Sequence, residues 1–190
     1  MPYLGINSYF GYGDETVWGT KVARTHWHRL TTRGESMKRT LEWVRRPVLA
    51  EASGSQNAES LYLKSDKAGG SVQGLFGYEG WGMLLKHILW GTPTTTGPVG
   101  AIYTHTYKLG SAPPTGGLSL EVIRGSAGGS GGGEIFEGTR INRAVWRIET
   151  GGLMTLDLDT LAETTGGRAA AGPATLTANE LDVLHSQSGT

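Results

Sequence analysis

The sequence contains no cysteine. Without thiols the chain can form no disulfide framework, no thiol nucleophile and no thiolate metal site. No stretch approaches the ~20 apolar residues that a membrane-spanning helix needs. The N-terminus lacks the basic region and apolar run of a secretory signal peptide. These absences lead us to expect a protein without cysteine chemistry and without a membrane partner.

Apolar residues are also scarce, at 37% of the 190 residues, whereas glycine is abundant with 31. The length suits a single domain that can bury a sizeable core. Much of the glycine falls where loops are expected, notably in Gly125–Gly133, which predicts a flexible connection.

An excess of either charge is missing too, because 17 basic residues balance 17 acidic ones. The charges are nevertheless segregated along the chain. Lys21–Arg46 holds eight basic and two acidic residues, and Glu134–Glu163 holds six acidic residues and three arginines. This pattern favours head-to-tail self-association of copies. Two separately solvated faces would explain it equally well.

One helix stands out, at about residues 79–90. The preceding Ser71–Phe76 alternates like a strand, and helical spacing begins at Trp81. Gly91 and Pro93 follow at the positions of a helix C-cap and a stop. We expect the helix to brace one sheet through its apolar side chains, Trp81, Leu84, Leu85 and Ile88.

The long basic segment after the N-terminal region reads as β-structure. Two strands are predicted within Arg24–Leu49, paired as a hairpin with its turn near Arg33–Ser36. In the second strand Met37, Leu41 and Trp43 alternate with polar residues. This alternation predicts one buried and one solvated face.

Shorter strands are predicted on both sides of the helix. Ser60–Lys64 precedes it, and Gly91–Gly100 after it reads as a loop rich in threonine and proline. Ala101–Leu109 then forms a strand, with Leu118–Arg124 as its return strand.

The clearest hairpin lies in the C-terminal third. Glu134–Glu149 is predicted as a strand whose apolar parity changes partway, which indicates a β-bulge near Asn142–Arg143. A tight turn at Gly151–Gly152 leads into the strand Leu153–Ala162.

These patterns divide the chain into three predicted parts. Residues 1–20, rich in aromatics and glycine, are predicted as an arm that packs on its own domain or on a neighbour. Residues 21–163 form the β-domain. Residues 164–190 form a C-terminal extension, with a final strand or inter-subunit arm at Ala174–Leu184.

Residues that could carry chemistry are few. His26 and His28 share a strand face and could form half of a metal site, although such pairs are more often structural. Asp157 and Asp159 share a face predicted to be solvated. No nucleophile elbow and no His-Glu-x-x-His motif occurs. We therefore expect neither an enzyme nor a cofactor.

Two further binding motifs are weak. The glycines at 74, 77 and 80 precede the helix but lack the order of a phosphate loop. The basic strands with Trp27 and Trp43 could serve nucleic acid, but Trp43 shares its face with Met37 and Leu41, which favours a core position.

The order of segments resembles that of one known family. The matching segments are, in chain order, Glu-Thr-Val-Trp-Gly-Thr (15–20), the basic strands, Ser-Val-Gln-Gly-Leu-Phe (71–76), Gly-Trp-Gly-Met-Leu-Leu (80–85), Trp90-Gly91, Tyr-Thr-His-Thr-Tyr (103–107), Leu-Ser-Leu-Glu-Val (118–122) and the hairpin from Phe-Glu-Gly (136–138) to Gly-Gly-Leu (151–153). From residue 14 to residue 163 the sequence resembles the major tail tube proteins of long-tailed, siphovirus-like bacteriophages.

The resemblance implies a mainly β fold, a β-sandwich or half-barrel with one flanking helix, long β-hairpins and an extended N-terminal arm. It implies a structural virion protein whose hexameric rings stack into a helical assembly, the tail tube. Strands of neighbouring subunits would close a continuous inner β-barrel, through which double-stranded DNA passes during ejection. Implied partners are other copies and the tape-measure, tail terminator and tail tip proteins. The implied location is the virion tail, after assembly in the host cytoplasm.

Candidate subunit contacts combine aromatics of the arm with charged residues: Tyr9, Phe10, Tyr12, Trp18, Arg24, Arg29, Arg45, Arg46, Asp157 and Asp159. Because Lys and Arg dominate nonspecific binding to DNA phosphates, the basic strands should face away from the lumen or be neutralised by a neighbour's acids. Two alternatives stay open. One is another β-rich component of a virion or secretion tube, and the other is a ligand-binding β-sandwich that uses exposed aromatics of the arm.

Overall fold

A computed structural model describes residues 8–45, 61–77, 80–100, 102–124 and 133–169. These residues form ten strands and one helix, so the fold is mainly β with one helix, as predicted. No helix in these ranges has the length and hydropathy needed to cross a bilayer. In chain order the elements are β1 (Tyr9–Asp14), β2 (His26–Glu35), β3 (Lys38–Arg45), β4 (Leu61–Leu75), α1 (Gly82–Leu89), β5 (Thr94–Val99), β6 (Ile102–Thr106), β7 (Leu118–Ile123), β8 (Gly133–Arg147), β9 (Thr155–Ala162) and β10 (Thr164–Ala169).

Two antiparallel sheets are joined by strands that belong to both. β2 pairs with β1 over its first half and with β4 over its second half. β8 pairs with β7 and β10 up to Thr139, and with β9 from Arg140 onward. Followed from neighbour to neighbour, the pairing runs in a circle through β1, β2, β4, β9, β8 and β7. This is the predicted β-sandwich or half-barrel, with corners made by strands that cross between sheets.

The core lies between these sheets. Phe10 and Tyr12 of β1 meet Val72 of β4 and Leu156 and Leu158 of β9, all fully buried. Alternate residues of each strand reach this core because successive side chains point to opposite faces. Burial of side chains of this size stabilises a fold by about 1.5–3 kcal/mol each.

The N-terminal segment contains a central strand, which corrects the prediction of an arm for residues 9–14. β1 lies between β2 and β7 and is buried on both faces. Gly11 and Gly13 make room on the second face, for the Trp27 ring and for the Ala23 backbone. A strand covered on both sides shows no polar alternation, which is why the sequence resembled an irregular arm. Its aromatics therefore pack on the chain's own domain.

β2 and β3 are both present, but they do not pair with each other as the predicted hairpin. Glu35 of β2 lies opposite Val72, and Lys38 of β3 lies opposite Gly69. Both strands therefore lie one after the other along the same edge of β4 and run in the same direction. The segment predicted as a turn is only a bend between them, with Gly34 at a φ of +67°.

The length of β4 explains why a β2–β3 hairpin was wrongly predicted. The sequence predicts two separate strands, Ser60–Lys64 and Ser71–Phe76, whereas β4 is one strand of 15 residues. The polar and glycine-rich residues between them stay paired, with β3 on one edge and β9 on the other. Gly69 and Gly70 have φ values of +149° and +150°, and a side chain on either would meet the backbone of Thr160 or Ser36.

The region after the helix also differs from the prediction. Thr94–Val99, within the predicted loop, is β5, and it pairs with β6 in a separate two-stranded sheet that is exposed along both strands. β7 pairs with β1 and β8 instead of returning along β6. The glycine and proline in this segment masked the β propensity of its three consecutive threonines.

The C-terminal hairpin follows the prediction. The register shifts between Ile141 and Arg143, which leaves Asn142 as the bulged residue. Gly151 has a φ of +74° in the turn before β9. β10 then continues along the same edge of β8 as β9. The strand predicted at Ala174–Leu184 lies outside the described residues.

Candidate assembly surface

Four strands form a sheet whose two edges carry no further strand in the described part of the chain. β8 from residue 140 pairs with β9, β9 with β4 and β4 with β3, and every pair is antiparallel. Within the described residues, β3 has no second strand partner, and neither has the 140–147 part of β8. Unpaired backbone N–H and C=O groups along such edges are a template for another strand. We call these strands the four-stranded sheet.

The core-side face of this sheet carries an exposed apolar patch at β3. Trp43 lies directly opposite Leu63 and is 54% exposed, and Leu41 is 40% exposed. The prediction that Leu41 and Trp43 are buried is wrong, because β3 runs beyond the core after Met37, which is buried. Leu41, Trp43 and Leu63 form the β3 patch.

A second apolar patch lies at the opposite edge of the same face. Trp146 of β8 lies opposite the buried Leu156, so its ring is on the core side, and it is 36% exposed. Ile148 follows two residues later and is 62% exposed. Trp146 and Ile148 form the β8 patch.

The outer face of the four-stranded sheet is polar, and its charges are paired within the chain. Arg147 Nε lies 2.8 Å from Asp157 Oδ2, and Arg143 Nε lies 3.1 Å from Asp159 Oδ2. Gln73 also donates a hydrogen bond to Asp157. The two aspartates that the sequence suggested as subunit contacts therefore already bind arginines across the β8–β9 hairpin.

The basic segment is also partly neutralised within its own chain. Arg24 forms an ion pair with Glu121, whose side chain is fully buried. Burial raises the pKa of Glu121, while Arg24 acts in the opposite direction. On β3, Arg39 lies 2.5 Å from Asp66 of β4 in an exposed pair.

Six of the suggested contact residues either have a buried side chain or have a side chain outside the described residues. Tyr9, Phe10 and Tyr12 are buried inside the chain, which removes them from the candidate contacts. The side chains of Arg29 and Arg45, and all of Arg46, lie outside the described residues.

Trp18 is half-buried in a loop that Glu15 anchors. The Glu15 carboxylate accepts hydrogen bonds from Gly19 N (2.9 Å), Ser119 Oγ (2.8 Å) and Gly138 N (3.0 Å). The Trp18 ring is covered by the Arg140 guanidinium, 4.3 Å from the ring centroid. This loop is thus held on β7 and β8, so that Trp18 is only partly available to a neighbouring copy.

The helix is shorter than predicted and is turned slightly from the predicted face. Trp81 and Leu84 lie in the core and Ile88 packs at its margin, whereas Leu85 faces an open cleft beside the helix. The left-handed residue at the C-terminal end is Trp90, with a φ of +56°, and not Gly91.

The N-terminal end of α1 is fastened to β1 and β2. The Tyr12 hydroxyl donates to the Gly80 carbonyl (2.5 Å) and lies 2.9 Å from His28 Nε2. The His28 ring stacks under Trp81, with 4.2 Å between centroids. The His26 ring also stacks on Tyr12, with 5.5 Å between centroids, so both histidines belong to this aromatic cluster.

The C-terminal end of α1 is fastened to the same strand. Asp14, two residues after Tyr12, lies 2.5 Å from Lys86 Nζ and 2.9 Å from His87 Nε2. His87 is buried, and sequence reasoning missed it, although its position three residues after Leu84 on one helix face was a usable signal. Among the described residues no group of three or more His, Asp or Glu side chains is placed to hold a metal ion.

Comparison with known proteins agrees with this architecture. A family profile described as phage tail tube protein matches residues 5–190. A search of curated proteins finds no match. Since the profile covers nearly the whole chain, the protein belongs to the phage tail tube protein family.

Proposed function

We propose that copies of this chain close into rings by pairing β3 of one copy with β8 of the next, and that stacked rings form the conduit for DNA ejection. The family makes the protein a structural component of the virion tail, a role that is not enzymatic. The proposal rests on the four-stranded sheet, both of whose edges lack a partner strand among the residues that the structure describes.

Strand direction supports this pairing. Three antiparallel steps separate β8 from β3, so these two strands run in opposite directions within one copy. The β3 edge of one copy and the β8 edge of the next therefore make another antiparallel pair, and the sheet continues without a change of pattern. β3 pairs with residues 61–69 of β4 and β9 with residues 68–75. This stagger corresponds to the shear that tilted strands need in a closed barrel.

The exposed apolar patches support the same join. The β3 patch and the β8 patch lie at opposite edges of the same face, so edge-to-edge pairing brings them together between adjacent copies. Large apolar residues that are half-exposed in a subunit are typical of the centre of an interface. The join would bury Trp43 and Trp146, both of which are residue types that dominate binding energy at interfaces.

The outer face of the sheet is then the one that lines the bore, because the core-side face is covered by the rest of the subunit. Arg143 and Arg147 lie on this face and are paired with Asp159 and Asp157. A lining of paired charges offers few free cations to phosphates and lets DNA slide, since Lys and Arg contacts dominate its nonspecific affinity.

The finer features of the assembly rest on family resemblance. We propose hexameric rings, contact with the tape-measure, tail terminator and tail tip proteins, and assembly in the host cytoplasm before incorporation in the virion. The alternative of a ligand-binding sandwich loses support, because Tyr9, Phe10 and Tyr12 of the predicted arm are buried.

Cross-linking tests the join. The chain has no cysteine, so Thr40→Cys in β3 and Val145→Cys in β8 introduce the only two thiols. Both side chains lie on the outer face, and we expect oxidation of assembled protein to give a ladder of linked subunits. Disulfides form only between Cα atoms about 4.4–6.8 Å apart, so the result depends on which residue of β8 lies opposite residue 40 of the neighbouring copy. A second double variant therefore places Arg143→Cys instead of Val145→Cys in β8 and tests another register.

Each single-cysteine variant serves as a control and should give no ladder beyond dimers. A ladder that ends at six subunits supports the hexamer. Assembled rings that cross-link in neither double variant would contradict the β3–β8 join.

A further inference from the structure

We propose that His28 is an acid-sensitive latch, whose protonation releases the N-terminal end of α1 from β1 and β2. This inference concerns the subunit itself and does not depend on the proposed function. α1 is held by one attachment at each end of the helix.

The N-terminal attachment encloses the His28 imidazole. Tyr12 donates its proton to the Gly80 carbonyl, so its oxygen is left to accept a hydrogen bond from His28 Nε2. The imidazole is sandwiched in the aromatic cluster, 4.2 Å from the Trp81 ring centroid and 5.4 Å from that of Phe10. It is 6% exposed.

The described groups around His28 offer no compensation for a positive charge. β1 presents the Tyr12 hydroxyl and the Phe10 ring, β2 presents the second imidazole, His26, and the start of the helix presents Trp81 and a carbonyl. Among the described residues in contact with the ring there is no carboxylate. Burial, and then the proximity of His26, lower the pKa of His28 to about 4.

The cover over His28 is small and separable. Gly80 and Trp81 lie directly on the ring, and a Cβ on Gly80 would come within 3.1 Å of His28 Cε1. Moving this short segment exposes the imidazole to water while the C-terminal attachment, Asp14 with Lys86 and His87, stays in place. A protonated His28 can therefore become hydrated through this local movement, without unfolding of the sheet.

The direction of the pH effect follows from the lowered pKa. The pKa of His28 is about 4 while the N-terminal end of α1 is closed over it, and is near its ordinary value of 6.5 when that end is open. The closed state is therefore fully favoured above pH 6.5 and loses stability as the pH falls from 6.5 towards 4. Between pH 7.5 and pH 4.5 the opening equilibrium should rise by about 10- to 100-fold.

Hydrogen exchange of the full chain, corrected for intrinsic rates, tests the latch at the Leu85 amide, which donates to the Trp81 carbonyl over 3.0 Å. We expect faster opening at pH 4.5 in the natural protein and no such rise in His28→Gln, which keeps a donor but cannot titrate. His105→Gln, an exposed histidine of β6, is the matched control and should keep the rise. His87→Gln should keep it as well.

If His28→Gln does not fold, ring-proton NMR of the natural protein decides. We expect the pKa of His28 to lie well below its ordinary value of 6.5, and the resonances of Trp81 and Leu85 to shift with the same midpoint as His28. Unchanged exchange at Leu85 in the natural protein, an equal rise in His28→Gln, or loss of the rise only in His87→Gln would each overturn the proposal.

Discussion

Trp81 joins the helix to the core through one side chain. Its ring contacts Phe10, His28 and Phe76, which belong to three different segments, and it is almost completely buried. Truncation of the Trp81 side chain would therefore leave a cavity between the helix and both sheets.

We therefore expect Trp81→Ala to lower the free energy of unfolding by about 3–5 kcal/mol, measured by urea denaturation. Leu109→Ala is the control, since Leu109 is 80% exposed and its truncation should change stability by about 0.5 kcal/mol or less. Equal stability of the two variants would mean that the helix does not brace the sheets.

Single residues also show where sequence patterns stop being informative. Alternation in β3 correctly placed Met37, Leu41 and Trp43 on one face, but only Met37 is covered. Alternation reports which residues share a face, whereas burial depends on what lies above that face. Among the described residues Trp43 is left half-exposed, and no local pattern could reveal this.

Elements formed by neighbours in sequence were predicted well. The β8–β9 hairpin was found with its turn and its bulge, because both depend on local parity and on glycine in the turn. The place of β4 between β3 and β9 was missed, because pairing between strands distant in sequence leaves no periodic signal. The candidate assembly surface was the least predictable feature, because the free edge of a strand can be identified only when all other strand pairings are known.

The bulge at Asn142 gives the prediction at this scale. Deleting Asn142 removes only the extra residue, so its two neighbours stay opposite their present partners in β9, and Ala144 and Trp146 keep their face. Deleting Val145 from the regular part of β8 instead turns Trp146 outward and Arg147 towards the core. We expect a clearly lower Tm in thermal unfolding for the Val145 deletion than for the Asn142 deletion, which serves as its control. Equal Tm values for the two deletions would show that β8 tolerates either parity.

For the whole molecule, the β3 patch is expected to control assembly and not folding. Trp43→Ser should leave the subunit folded, because the ring is already half-exposed, but should weaken association between copies by about tenfold or more. The concentration at which rings or tubes appear can be measured by sedimentation and negative-stain imaging.

Val99→Ser is the matched control, since it removes an apolar side chain that is 83% exposed at the β5–β6 hairpin, away from both edges. Assembly of Trp43→Ser at the same concentration as Val99→Ser would show that the β3 patch is not part of the interface.

β4 also determines how mechanical load would pass through the molecule. It is an unbroken strand that pairs with β3 beyond the core and with β2 and β9 within it. A pull on the outer part of β4, directed along the strand, therefore loads many backbone hydrogen bonds together in shear, and does not peel them apart one at a time. Tension between the outer part of β4 and the subunit body is carried by the main chain of this one strand, without an intervening loop that could stretch.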